Sequence, residues 1–131
     1  MSALRLALAI TAGAIFTAVI AFCADAVAAD ILAVFPFLDL TLAFPYGVCG
    51  GLLAARLAPG QEIWAGSGVA LLTVFIGVIS YLMNSGAQAA WFWVAMTCSL
   101  SGGAMFGSYL RARRMVRRQA QVKRKARKLV K

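Results

Sequence analysis

The residue in this chain with the clearest capacity for chemistry is Asp39, a carboxylate beside a long apolar run, with Pro36 before it and Pro45 after it. An ionisable group at membrane depth is costly to keep and is a functional candidate for that reason. A helix broken between two prolines could line an ion or proton site around it. The plainer role is the N-cap of the following helix, where a carboxylate accepts a backbone N–H and meets the positive end of the helix dipole. The apolar flanks Leu38 and Leu40 fit both roles. Cys49 and Cys98 sit at similar depth in their segments, and two thiolates can hold a soft ion such as Cu(I). Without a CxxC pair they read more simply as small buried apolar residues, as does Cys23.

Other chemistries lack their residues. The chain has no histidine, the commonest general base and metal ligand. No nucleophile–base pair, metal cluster or phosphate loop stands out, so no catalytic, cofactor-binding or metal-binding residue is assigned and the chain reads as non-enzymatic. The hydroxyls in the apolar segments, Thr11, Thr17, Ser67, Thr73, Ser80, Thr97, Ser99 and Ser101, are of the kind that bond back to their own helix.

These residues lie in a chain of 131 residues that is 63% hydrophobic and only 13% charged, against about 25% charged in an ordinary soluble domain. A chain this short cannot hide that excess in a core. The composition predicts an all-α integral membrane protein. A span takes about 20 apolar residues, and four segments are expected to cross, at about 6–24, 40–57, 63–83 and 90–110. They form a transmembrane domain over 1–110, followed by a basic tail over 111–131. Ala58-Pro59-Gly60-Gln61-Glu62 and Asn84-Ser85-Gly86-Ala87-Gln88 read as turns. The connection from Asp25 to Asp39 reads as an interfacial or re-entrant segment. A second reading applies to the start: Arg5, an apolar run and Ala26-Val27-Ala28-Ala29 before Asp30 also have the pattern of a secretory signal, whose removal would leave three helices.

Basic residues set orientation. Eleven of the thirteen Lys and Arg lie from Arg111 to Lys131, the others being Arg5 and Arg56. Four spans with both termini in the cytoplasm put all thirteen on the inner side, as in a multi-pass protein of the cell (inner) membrane. Trp64 and Tyr109 then mark the inner interface; Tyr81, Trp91, Phe92 and Trp93 mark the outer one.

Two stripes of small residues at helical spacing, Gly47-Gly51-Ala55 and Ser99-Gly103-Gly107, are candidate packing seams, because helices in lipid associate through close backbone approach. Each ends about one turn before an arginine, Arg56 or Arg111, and the two helix pairs could be copies of one hairpin. The tail has no acid, Gly or Pro, so it can extend the fourth helix. It sets Arg111, Arg113, Arg114, Arg117, Arg118, Lys123, Arg124 and Lys125 beside a narrow stripe of Met115, Val122 and Leu129. The expected partners are the bilayer, including its anionic cytoplasmic leaflet, and other membrane helices from a second copy or a larger complex. Nucleic acid is not expected, because the tail has no aromatics to stack on bases.

The function expected from these features is that of a small polytopic accessory subunit or homo-oligomer held by GxxxG-type packing. The chain also resembles phage holins in size, in its short helices and in its basic tail, a compositional likeness that implies a pore former. A small transporter using Asp39 is the third class.

Overall fold

The computed structural model describes residues 3–34, 36–83 and 89–129, with side chains described throughout these except at 28–34, 36 and 123–129. It is all-helical: α1 spans Ala3–Val34, α2 Pro36–Leu57, α3 Glu62–Met83 and α4 Ala90–Leu129. Three stretches, Ala3–Val27, Phe37–Leu57 and Glu62–Met83, are long and apolar enough to cross a membrane. The α4 segment expected to span falls short of that apolarity, because tryptophan, serine and glycine take positions that aliphatic residues hold in the other three.

The first connection differs most from its sequence reading. Residues 25–34 continue α1, and α2 begins at Pro36 rather than near Leu40. Ala24, Ala26, Ala28 and Ala29 are the reason, since alanine is the best helix former. Pro36 is accommodated at a helix start, where its missing N–H costs nothing. Asp39 therefore lies within the first turn of α2 rather than at its cap. Pro45 lies inside α2 and removes the N–H that would otherwise bond the Thr41 carbonyl. The turn at Asn84–Gln88 lies outside the described residues.

The α2–α3 connection is a tight turn. Gln61 N–H donates to the Ala58 carbonyl at 3.0 Å, Pro59 takes the second position, and Gly60 takes the third with a φ of 87°. Only a residue without Cβ adopts that left-handed value freely, which identifies a type II turn. Ala65 N–H closes the first turn of α3 on the Gln61 carbonyl at 2.9 Å.

The core sits at this end of the bundle and is built almost wholly of small residues. Ala9, Ala54, Ala58, Ala65, Val69, Ala70 and Ala104 pack together, with Leu6 and Ile10 against them. Small side chains let four backbones converge. The larger apolar residues point outward: Leu8, Phe22, Leu71, Phe75 and Leu82 are exposed. α4 runs on without interruption to Leu129, so the nineteen residues from Arg111 add about 28 Å of helix.

Candidate functional site

The candidate site is a cavity of about 560 Å³ whose lining comes from all four helices. It exists because of how the glycines distribute the helix contacts. α2 carries two glycine faces. Gly47 and Gly51 face α4, where a Cβ on Gly51 would run into the Ala104 backbone and one on Gly47 into the Leu100 carbonyl. α4 replies with Gly103 and Gly107, whose missing side chains leave room for the carbonyls of Phe44 and Val48. The two sequence stripes thus lie against each other within one chain. Ala55 is fully buried at the end of the first; Ser99, at the start of the second, is half-buried.

The other face of α2 carries Gly50 and Ala54 and meets α1 at Gly13 and Thr17. A Cβ on Gly13 would lie 2.8 Å from both the Ala54 Cβ and the Gly50 carbonyl oxygen. α3 approaches α1 where Gly68 meets Ile10, and approaches α4 where Gly66 meets Ser108 and Gly77 meets Thr97. α1 and α4 are therefore each held by α2 and α3, and among the described residues their backbones stay more than 8 Å apart, Cα to Cα. The cavity is the gap that remains between them.

Its walls follow helical spacing. α1 contributes Ala14, Ala18, Ala21 and Asp25, one face at steps of three and four. α3 contributes Thr73, Gly77 and Ser80; α4 contributes Trp93, Thr97 and Leu100; α2 contributes Asp39 from its first turn. Two carboxylates from different helices thus line one largely apolar space, Asp39 half-buried and Asp25 exposed. Thr17 and Thr73 donate their hydroxyls to the Gly13 and Val69 carbonyls, at 3.0 and 2.8 Å, and so are occupied by their own helices. Trp93 is different: its Nε1 is buried and has no hydrogen-bond partner among the described residues. Buried indole N–H groups are normally paired. Next to Trp93, Phe92 closes the wall, and Trp91 stacks on Phe37 of α2 with centroids 6.2 Å apart.

The opposite end is closed by the alanine core and by a long-range contact. Arg111 Nε donates to the Ala55 carbonyl at 3.3 Å, one of the last four carbonyls of α2, which have no partner within the helix. Arg56 lies next to this carbonyl in sequence, and Arg5 precedes Leu6, which packs on the core. Arg5, Arg56 and Arg111 therefore share one end of the bundle, and Asp25 and Asp39 the other.

Sequence reasoning singled out Asp39, the two stripes and the tail. It missed Asp25, Gly50 and Trp93 as parts of one arrangement. The signal for Asp25 was present: Ala14, Ala18 and Ala21 form a small-residue face that ends on it. The cysteines depart from their expected burial, as Cys23, Cys49 and Cys98 are all free and exposed. In the tail, Arg113, Arg114, Arg117 and Arg118 are exposed, and the side chains of Lys123, Arg124 and Lys125 lie outside the described residues. Compared with protein-family models, with curated proteins and with solved structures, the chain matches none.

Proposed function

We propose that this chain is a small polytopic membrane protein that binds a solute in an intramembrane cavity, as a minimal transporter or the binding subunit of one. The observation that carries this reading is the cavity between α1 and α4, lined by Asp25 and Asp39 and closed at the arginine end. The accessory or homo-oligomer reading draws less support from GxxxG-type packing, because Gly47, Gly51, Gly103 and Gly107 pack against one another within the chain. A pore through this single bundle would need a passage at the arginine end, where Ala9, Ala54, Ala58, Ala65 and Ala104 are buried against one another.

Membrane insertion is supported by three span-length apolar helices and by the outward-facing Leu, Phe and Ile side chains. In this reading α4 is the fourth span, its polar face covered by α2 and α3. The arginine end is cytoplasmic by the distribution of basic residues, with both termini inside, and the cavity opens outward.

The test is solvent access. With Cys23, Cys49 and Cys98 replaced, Thr97→Cys should react with a membrane-impermeant maleimide in sealed vesicles or cells. A thiol there that stays unreactive while a surface cysteine labels fully would remove the solute-binding reading.

The tail's contact with anionic lipid is also a proposal, and the uninterrupted helix narrows it. Surface attraction fades within a Debye length, about 8 Å at physiological salt, while a helix in line with the span carries its last turns about 28 Å outward. Neutralising Arg113, Arg114, Arg117 and Arg118 should therefore weaken association of a tail peptide fused to a membrane anchor with anionic lipid. Neutralising Lys123, Arg124 and Lys125 should change it little. Equal losses in a fluorescence-quenching assay would mean that the tail lies flat.

A further inference from the structure

We infer that the cavity between α1 and α4 takes an organic ammonium compound: a positively charged nitrogen on an apolar body. The inference rests on the solute-binding reading and adds the chemical class. Two features of the lining lead to it.

The first is charge. Among the described residues, Asp25 and Asp39 are the only charged residues of the lining, and both are acids on separate helices. Two like charges lining one space are relieved by a cation between them. The second is surface. Most of the lining is apolar or aromatic, with Ala14, Ala18, Ala21, Ile76, Phe92 and Trp93 around the acids. Ca²⁺ takes six to eight clustered oxygens and Mg²⁺ six, and among the described residues no group of three or more Asp, Glu, Cys or His could hold a metal ion. A cationic nitrogen with a hydrocarbon body matches both, and an indole and a phenyl ring are the groups that attract such a cation through their faces. A volume of about 560 Å³ falls in the range of small-molecule sites, about 300–1,000 Å³, and is far larger than a single ion needs.

The same chemistry can reach the cavity from two sources, a free amine in water or the ammonium headgroup of a phospholipid. The experiment separates them. Protein carrying Thr97→Cys in the cysteine-free background is reconstituted into vesicles of phosphatidylglycerol, which has no ammonium group. Maleimide labelling is then followed with benzyltrimethylammonium, with its uncharged carbon isostere, with sodium chloride, or with phosphatidylethanolamine added to the bilayer. The expected result is that the soluble ammonium slows labelling in a saturable way while the isostere and sodium do not. Protection by phosphatidylethanolamine alone supports the same chemistry with a lipid as its source.

Asp39→Asn should raise the protecting concentration by about tenfold or more, the worth of one charged contact, and Trp93→Leu should raise it more than Trp93→Phe does. Equal protection by the neutral isostere would show a merely apolar site, and protection by sodium would show an inorganic-ion site. Either result overturns the proposal. So does unchanged labelling with every ammonium compound, in which case the cavity is still open to water and the solute-binding reading stands without this ligand class. A Thr97→Cys thiol that never reacts sinks the solute-binding reading instead.

Discussion

Gly51→Leu and Gly103→Leu should each abolish recovery of a monodisperse folded protein, whereas Gly102→Leu should behave like the parent. The three positions are all helical glycines, and two are adjacent in sequence, so helix propensity alone would rank them together. What separates them is what a side chain would meet. At Gly51 the first atom added runs into the Ala104 carbonyl, and at Gly103 into the Phe44 carbonyl. At Gly102 nothing lies within 4 Å. Overpacking against side chains costs about 1–3 kcal/mol because rotamers can give way. A backbone cannot change rotamer, so here α2 and α4 would have to separate along the seam. That would unpair Gly47 from Leu100 and Gly107 from Val48 as well. The loss should therefore exceed the ordinary range and approach the total stability of a small domain, about 5–15 kcal/mol. Size-exclusion profiles and thermal midpoints in detergent measure it. Two leucine variants that elute and melt like the parent would show that the seam does not hold the bundle.

The second large effect is expected at Arg111. Its guanidinium reaches the Ala55 carbonyl on another helix at 3.3 Å, and Ala55 itself is fully buried. Arg111→Ala leaves that carbonyl unpaired next to the α2–α3 turn. The net worth of a hydrogen bond to a charged group is about 1.5–3 kcal/mol, and a cation at a helix C-terminus adds a favourable dipole interaction. The thermal midpoint should fall by several degrees, about what 1–3 kcal/mol gives in a domain of this size. Arg111→Lys should restore part of the loss by keeping a positive donor, though without the planar guanidinium. Arg113→Ala, on an exposed residue of the same helix, should change the midpoint little. Equal effects at the two positions would mean that the tail acts through net charge and that the cap on Ala55 contributes nothing particular.

The sequence was most legible where one residue type at one spacing has one physical consequence. Glycines four apart mark a close backbone approach, and Gly47, Gly51, Gly103 and Gly107 all lie in the α2–α4 seam. Pro59-Gly60 marks a turn, and a turn forms there. Reading failed where two signals competed. Between Asp25 and Asp39, acids and a proline argued for a connection while alanines argued for helix, and the alanines prevailed. The acids then stood on helix faces, and Asp25 joined Asp39 across the cavity instead of lying in a loop. Which helices meet was illegible as well. Gly50 gives no hint that its partner is Gly13, nor do the α1 and α4 sequences show that these helices stay apart. Pairing is a property of the whole packing arrangement, because α2 has two faces lined with small residues and each could have met any neighbour.

The central claim is that the bundle is open at the acidic end and closed at the basic end. Labelling from each side of the membrane tests it most directly. Ala21 lines the cavity, while Ala9 is only 1% exposed within the alanine core. In the cysteine-free background, Ala21→Cys should react with an impermeant maleimide added to intact cells and resist it when added to inside-out vesicles. Ala9→Cys should resist it from both sides. Reaction of Ala21→Cys from the inner face alone, or of Ala9→Cys at a comparable rate, would contradict the account.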